Sequence, residues 1–397
     1  MKRRFLAVFA LIFPMIALVA GQQALGHPTA APGSPVPTFE VDSTWRPRLP
    51  SDWVTGVTSS VAVDKKDHLW ILHRPHTVAV GQIPAPPVLE FDATGDYIQG
   101  WGGPASGYEW PDSEHGIYVD DQDGVWITGS SRSGANVCGI QPCTRGDDML
   151  NKFTSGGKFQ MAIGRRDQST GAKDTKNVHA ATDVFAYAKT NDLFVSDGYQ
   201  GPGEQGDCRV IVFDAQTGAF KRMWGAFGDA PQCLTDSAAH AESGGSTKRE
   251  TETEGASSKG FSTVHCVKVS NDGLVYVCDR PNNRIQVFTL AGKYLNQVFF
   301  NGDGSSSNSA TGLAFSPDPG QKFMYVADYG NSCVVVLERK TLQVLYKFGN
   351  RGASPGNFQG LHSIAVDSKG NLYTAEVAPG NRVQRFLFKG LRAAPAQ

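Results

Sequence analysis

The chain has 397 residues, a formal net charge of −1, and 19% charged against 40% hydrophobic residues. That balance carries neither the basic excess that draws a protein to nucleic acid nor the one that draws it to an anionic membrane surface, so neither partner is expected. Seven cysteines permit disulfides in an exported protein, with at least one thiol left over.

Lys2, Arg3 and Arg4 precede an apolar run over 5–20 and the small residues Ala24 and Gly26, which predicts a secretory signal peptide over 1–26. The run is short for a membrane span and has no basic flank after it, so cleavage and a secreted or periplasmic location are expected. Residues 27–50 open with Pro, Ala, Gly and Ser and read as a solvated linker and lead-in.

From 51 to 391 the chain repeats itself. The unit is a strand, a turn carrying Asp, Asn or Gly, and a second strand, as in SSVAVDKKDHLWILHR from Ser59, HGIYVDDQDGVWITGS from His115 and HCVKVSNDGLVYVCDR from His265. Further copies start at Thr182, Thr311 and His362, which makes six, and each is followed by a second alternating pair such as RIQVFTLAGKYLNQVF from Arg284. Period-two alternation with four strands per unit predicts an all-β fold, a six-bladed β-propeller. An insert over 231–259, dense in Ser, Gly, Thr, Glu and Lys, reads as a surface excursion. Proximity in sequence suggests disulfides Cys138–Cys143, Cys208–Cys233 and Cys266–Cys278, leaving Cys333 without a mate, and no CxxC pair marks a zinc site.

In a propeller, one repeat position forms a ring about the central channel. The position just ahead of the innermost strand holds Ser59, His115, Thr182, His265, Thr311 and His362. Histidine alternates with a small hydroxyl residue, so three imidazoles a third of a turn apart converge on the axis. Three neutral imidazoles with an open fourth position is the ligand set of a catalytic zinc. A second ring, where the next strand ends, holds Arg74 and Arg280 on opposite units, and guanidinium forks suit a carboxylate. Tyr199 follows that ring by one residue, where a phenol beside a dication and an arginine can serve as a base.

The segments LHRP, EHGIYVD, VSDGY, FSTVHC, DRPNNRIQVF and GLHSIAVD, in that order, resemble the motifs of peptidyl-α-hydroxyglycine α-amidating lyases, which are six-bladed propellers of NHL type. The resemblance implies a zinc-dependent lyase that cleaves the N–C bond of an α-hydroxyglycine-type (carbinolamide) substrate to an amide and glyoxylate. It makes His115, His265 and His362 the zinc ligands, Tyr199 the base, Arg74 the carboxylate anchor and Arg280 the partner of Tyr199. The substrate is then a small peptide or amide with a carboxylate, and the protein a monomer. The resemblance also implies calcium, held by the carbonyls of Val61 and Ile117 and by an Asp after the last zinc histidine. Ser363 stands at that Asp, and losing the one charged ligand weakens a site for a hard dication. Two other function classes fit the same fold. One is a non-enzymatic NHL propeller that binds a protein or glycan partner. The other is a different propeller enzyme, a calcium-dependent lactonase or streptogramin-type lyase, for which Asp197, Asp279, Asp328 and Glu376 would be the ligands near the mouth.

Overall fold

The computed structural model describes residues 35–50, 52–131, 145–199, 207–232, 260–300 and 308–393. The signal-peptide segment, Cys138, Cys143, Cys233 and nearly all of the 231–259 insert lie outside the described residues.

Strand-forming alternation folds as expected into a six-bladed propeller of four-stranded antiparallel sheets. The innermost strands are Val57–Val63, Glu114–Val119, Ala181–Tyr187, Val264–Val269, Gly312–Phe315 and Leu361–Val366, for blades 1 to 6. Each continues outward in chain order, except that the outer strand of blade 6 is supplied by Pro35–Val41, which pairs with Arg382–Ala393.

That pairing corrects the linker reading of 27–50. Val36 is buried, Tyr346 donates its hydroxyl to the Pro37 carbonyl, and Phe39 packs on Tyr325, Phe348 and Phe388. Trp45 joins the core between blades 6 and 1. Proline lacks a donor and so reads as linker, but an outermost strand tolerates it.

The core consists of six clusters, one between each pair of neighbouring blades. Blades 3 and 4, for example, press Phe194 and Val212 against Phe288 and Val275. Truncating such a fully buried phenylalanine to alanine costs about 3–5 kcal/mol.

Two polar devices recur within the blades. In the first, the aspartate after the inner strand closes the hairpin through its own carboxylate. Asp64 Oδ1 accepts from Lys66 N and His68 N, and Asp120 Oδ1 from Gln122 N and Gly124 N. Their other oxygens accept from the indoles of Trp70 and Trp126. In the second, a carboxylate ending the second strand faces an arginine opening the third, as in Asp197–Arg209, Asp279–Arg284 and Glu376–Arg382. Blade 5 puts Cys333 opposite Asp328 in that slot, which explains its isolation: it is free and buried, and burial pushes its thiol up to about 12. Cys266 and Cys278, directly opposite on neighbouring strands, form the expected disulfide.

Candidate metal centre

The ring residues sit within the inner strands rather than just ahead of them, except Thr311. They are also where those strands lose register with their neighbours. Pairing skips Ser59, Thr182, His265 and His362, and in blade 2 His115 and Gly116 share one partner position. A bulge sets one side chain outside the alternation that would bury it between blades and turns it to the axis.

The three imidazoles meet there. Ring centroids are 4.9 Å apart for His115–His265 and His115–His362 and 4.7 Å for His265–His362. One nitrogen from each lies within 4.8 Å of the others.

Orientation comes from the intervening blades. His115 Nδ1 lies 2.8 Å from the Thr182 carbonyl, His265 Nδ1 2.6 Å from that of Thr311, and His362 Nδ1 2.7 Å from that of Ser59. A carbonyl only accepts, so each Nδ1 carries the proton and each Nε2 keeps its lone pair. The hydroxyls complete the circuit: Thr182 Oγ1 donates to the Val264 carbonyl and Thr311 Oγ1 to that of Leu361, each one residue ahead of the next histidine. Between blades 1 and 2 the corresponding acceptor, the Glu114 carbonyl, receives Arg74 Nε at 2.9 Å. The three imidazoles, the hydroxyls of Thr182 and Thr311 and the Arg74 guanidinium thus form one hydrogen-bonded belt, while Ser59 Oγ donates to the Leu72 carbonyl of its own blade.

Burial, with positive neighbours adding to it, holds His115 and His265 well below the usual imidazole range and His362 at about 3. All three are neutral at pH 7. His115 Nε2 and His265 Nε2 are buried with no hydrogen-bond partner among the described residues. Converging, unprotonated and unpaired nitrogens whose Nδ1–H groups are already fixed fit a divalent metal with an affinity for imidazole.

The remaining predicted residues gather beside the ring. The Tyr199 ring is 5.8 Å from that of His115 and 6.3 Å from that of His265. Its hydroxyl accepts from Arg280 Nη1 at 3.3 Å, and the Arg280 guanidinium lies 4.9 Å over Tyr329. Asp279, a potential surface partner for Arg280, is committed to Arg284 instead. One group escaped sequence reasoning. Glu114, next to His115, is buried and pushed up to about 7, with Oε1 accepting from the Trp110 indole and Oε2 3.9 Å from His76 Nδ1.

Beyond the ring, the channel cavity is lined by Val61, Ile117 and Ser363 together with Lys268 and Asp183. Ser363 Oγ is engaged with Ser60 Oγ and Val61 N, and Asp183 holds Lys268 Nζ at 2.5 Å. These residues do not fit calcium: Asp183 is the one carboxylate in the lining and it is committed to Lys268, so the cavity offers a hard dication no free charged ligand. Nor do the carboxylates near the mouth form a ligand set. Asp197, Asp279 and Glu376 are spent on arginines of their own blades, and Asp328 accepts from the backbone and side chain of Asn331.

The fold and site together define a six-bladed propeller with a tri-histidine centre on its axis. Residues 261–288, which carry His265 and Arg280, match the NHL repeat. The chain is 26% identical, over 381 aligned residues, to peptidyl-alpha-hydroxyglycine alpha-amidating lyase 1 of Drosophila melanogaster, covering 85% of this chain and 58% of that one. It therefore spans less than two thirds of that relative. It is 24% identical over 360 residues to NHL repeat-containing protein 3 of Homo sapiens, covering 88% of this chain and 84% of the other. Among solved structures, a streptogramin B lyase superposes with a TM-score of 0.47 at 9% identity, covering 88% of this chain and 98% of that one.

Proposed function

We propose that the chain is a metal-dependent carbon–nitrogen lyase, exported and monomeric, that splits an α-hydroxyglycine-type carbinolamide into an amide and glyoxylate. The observation that carries this reading is the set of three neutral imidazoles aimed at one point beside a tyrosine–arginine pair. The similarity to the Drosophila lyase supports it.

A zinc ion held by His115, His265 and His362 would supply Lewis acidity to the substrate hydroxyl. Arg74, anchored through Nε on the Glu114 carbonyl, presents the rest of its guanidinium to the substrate carboxylate. Tyr199, as phenolate beside the fixed charge of Arg280, takes the hydroxyl proton. The C–O bond becomes C=O, the C–N electron pair leaves with nitrogen, and that nitrogen takes back the proton held by Tyr199, which gives the amide and restores the phenolate.

Purified protein is expected to contain zinc and to release glyoxylate from a hydroxyglycine peptide. Absence of metal, or undiminished turnover in Tyr199→Phe, would overturn the reading. The similarity to the human NHL protein, which covers more of its partner, favours a second reading as a binding propeller. That reading predicts no glyoxylate release and unchanged folding and binding in His265→Ala.

A further inference from the structure

The aspartate-closed hairpin repeats with a third partner, and blade 1 departs from the pattern. In blade 2, Lys152 stands across from Trp126 and places Nζ 2.9 Å from Asp120 Oδ2. In blade 6 the corresponding residues are Asp367, Tyr373 and Arg385. In these two aspartate blades the third-strand position is thus a cation, paired with the hairpin aspartate itself in blade 2 and with Asp42 in blade 6, whereas blades 3 to 5, which lack the aspartate, carry Val212, Val287 and Val336 there. In blade 1 it is Glu90, across from Trp70, so Asp64 meets a second carboxylate.

The Asp64 and Glu90 side chains are only 5% and 6% exposed, and among the described residues no lysine or arginine pairs with either. Two buried carboxylates without a compensating cation are costly. His68 fills the gap, with Nδ1 2.7 Å from Glu90 Oε1 and 3.8 Å from Asp64 Oδ2. In blade 2 its place is taken by Gly124, where an added Cβ would lie 2.4 Å from Lys152 Cε. The imidazole therefore occupies the volume that the lysine chain fills in blade 2. An imidazolium balances one of the two negative charges, whereas a divalent ion balances both.

We propose that Asp64, His68 and Glu90 form a second metal site, on blade 1 and separate from the axis, for a divalent first-row transition ion. One ligand atom from each lies within 4.8 Å of the others. The carboxylates are held from behind, Asp64 by the Trp70 indole and Glu90 by Gln99 Nε2 at 2.5 Å, as outer-shell donors hold metal ligands. His68, 25% exposed, leaves the open coordination positions to water. One nitrogen and two oxygens suit zinc, nickel or manganese, whereas soft-ligand copper(I) would want thiolates.

The test uses the full chain, stripped with a chelator, loaded with zinc, desalted and analysed for bound metal. Wild type is expected to hold two equivalents. A variant carrying His68→Gly with Glu90→Lys copies the blade 2 arrangement, which keeps it folded, and is expected to hold one. His115→Ala is also expected to hold one, and the three changes together none. Equal zinc in wild type and the His68→Gly, Glu90→Lys variant overturns the blade 1 site. One equivalent in wild type that survives His115→Ala but vanishes in the blade 1 variant supports this site and instead overturns metal binding on the axis.

Discussion

Arg280 donates to the Tyr199 hydroxyl while its own guanidinium is stacked over Tyr329, so the phenol is held by a fixed charge. Removing the hydroxyl removes the base and nothing that folds the chain. Tyr199→Phe is expected to lower kcat by about 10²–10⁴-fold, with zinc content and melting temperature unchanged, as read by glyoxylate release, elemental analysis and thermal unfolding. A different histidine, away from the axis, contributes to acid stability. His73 is fully buried, accepts from Gly56 N at Nδ1 and meets the Pro86 carbonyl through Nε2, a pattern only the neutral ring satisfies. Burial lowers it from 6.5 to about 4. The unfolded chain then binds the proton more readily than the folded one, so stability is full above the unfolded value and is lost as pH falls from about 6.5 to about 4. The loss is about 3 kcal/mol at the lower end. Urea unfolding of wild type and of His73→Asn, which cannot take up the proton, should show wild type losing about 3 kcal/mol more than the variant across that window, the axial histidines and Glu114 contributing equally to both. Residue types and spacing were enough to pick out the three imidazoles, Arg74 and Arg280, because each lies at a repeat position, and Tyr199, because it follows one directly. Glu114, His68 and Glu90 were not legible, since what distinguishes them is a neighbour across a strand or a missing cation in one blade.

At the level of the strand, the bulge does what alternation alone cannot. A regular inner strand would send His115 and Gly116 to opposite sides, whereas here both face one partner position. Gly116 is required by close approach: an added Cβ would lie 2.5 Å from the Thr182 carbonyl and 2.7 Å from Thr128 Oγ1. That carbonyl is the one that orients His115. Gly116→Ala is therefore expected to displace it and weaken zinc binding about 10–100-fold, the scale of outer-shell changes, without altering any ligand. Competition against a chromophoric chelator would measure the shift, and unchanged affinity would mean the belt of carbonyls does not orient the ring. The sequence announced the strands through their period but not the bulges, which add one residue without changing composition. It also hid the strand at Pro35–Val41, because two prolines in an edge position look like a linker until the partner strand is known.

A closed ring of blades has one joint where the chain ends must meet, and here Pro35–Val41 closes it against Arg382–Ala393. The histidines come from blades 2, 4 and 6, so an ion on the axis would tie together three sheets that are not neighbours in the ring, including the sheet that contains the joint. Because the ligands converge only in the folded ring, metal binding adds directly to folding free energy. Zinc at 1,000 times its dissociation constant should raise stability by about 4 kcal/mol, read as a higher melting temperature that a zinc chelator reverses. A calcium-selective chelator should leave the transition where it was, since the one carboxylate lining the cavity beyond the ring, Asp183, is already paired with Lys268. The same coupling predicts that truncation through Val41, which strips the outer strand from blade 6, weakens zinc binding from a distance. Opening the joint frees His362 to move away from His115 and His265. Isothermal titration of the truncated chain is expected to show lower affinity at the axis, and wild-type affinity there would mean that the inner strands hold the ring without the closure.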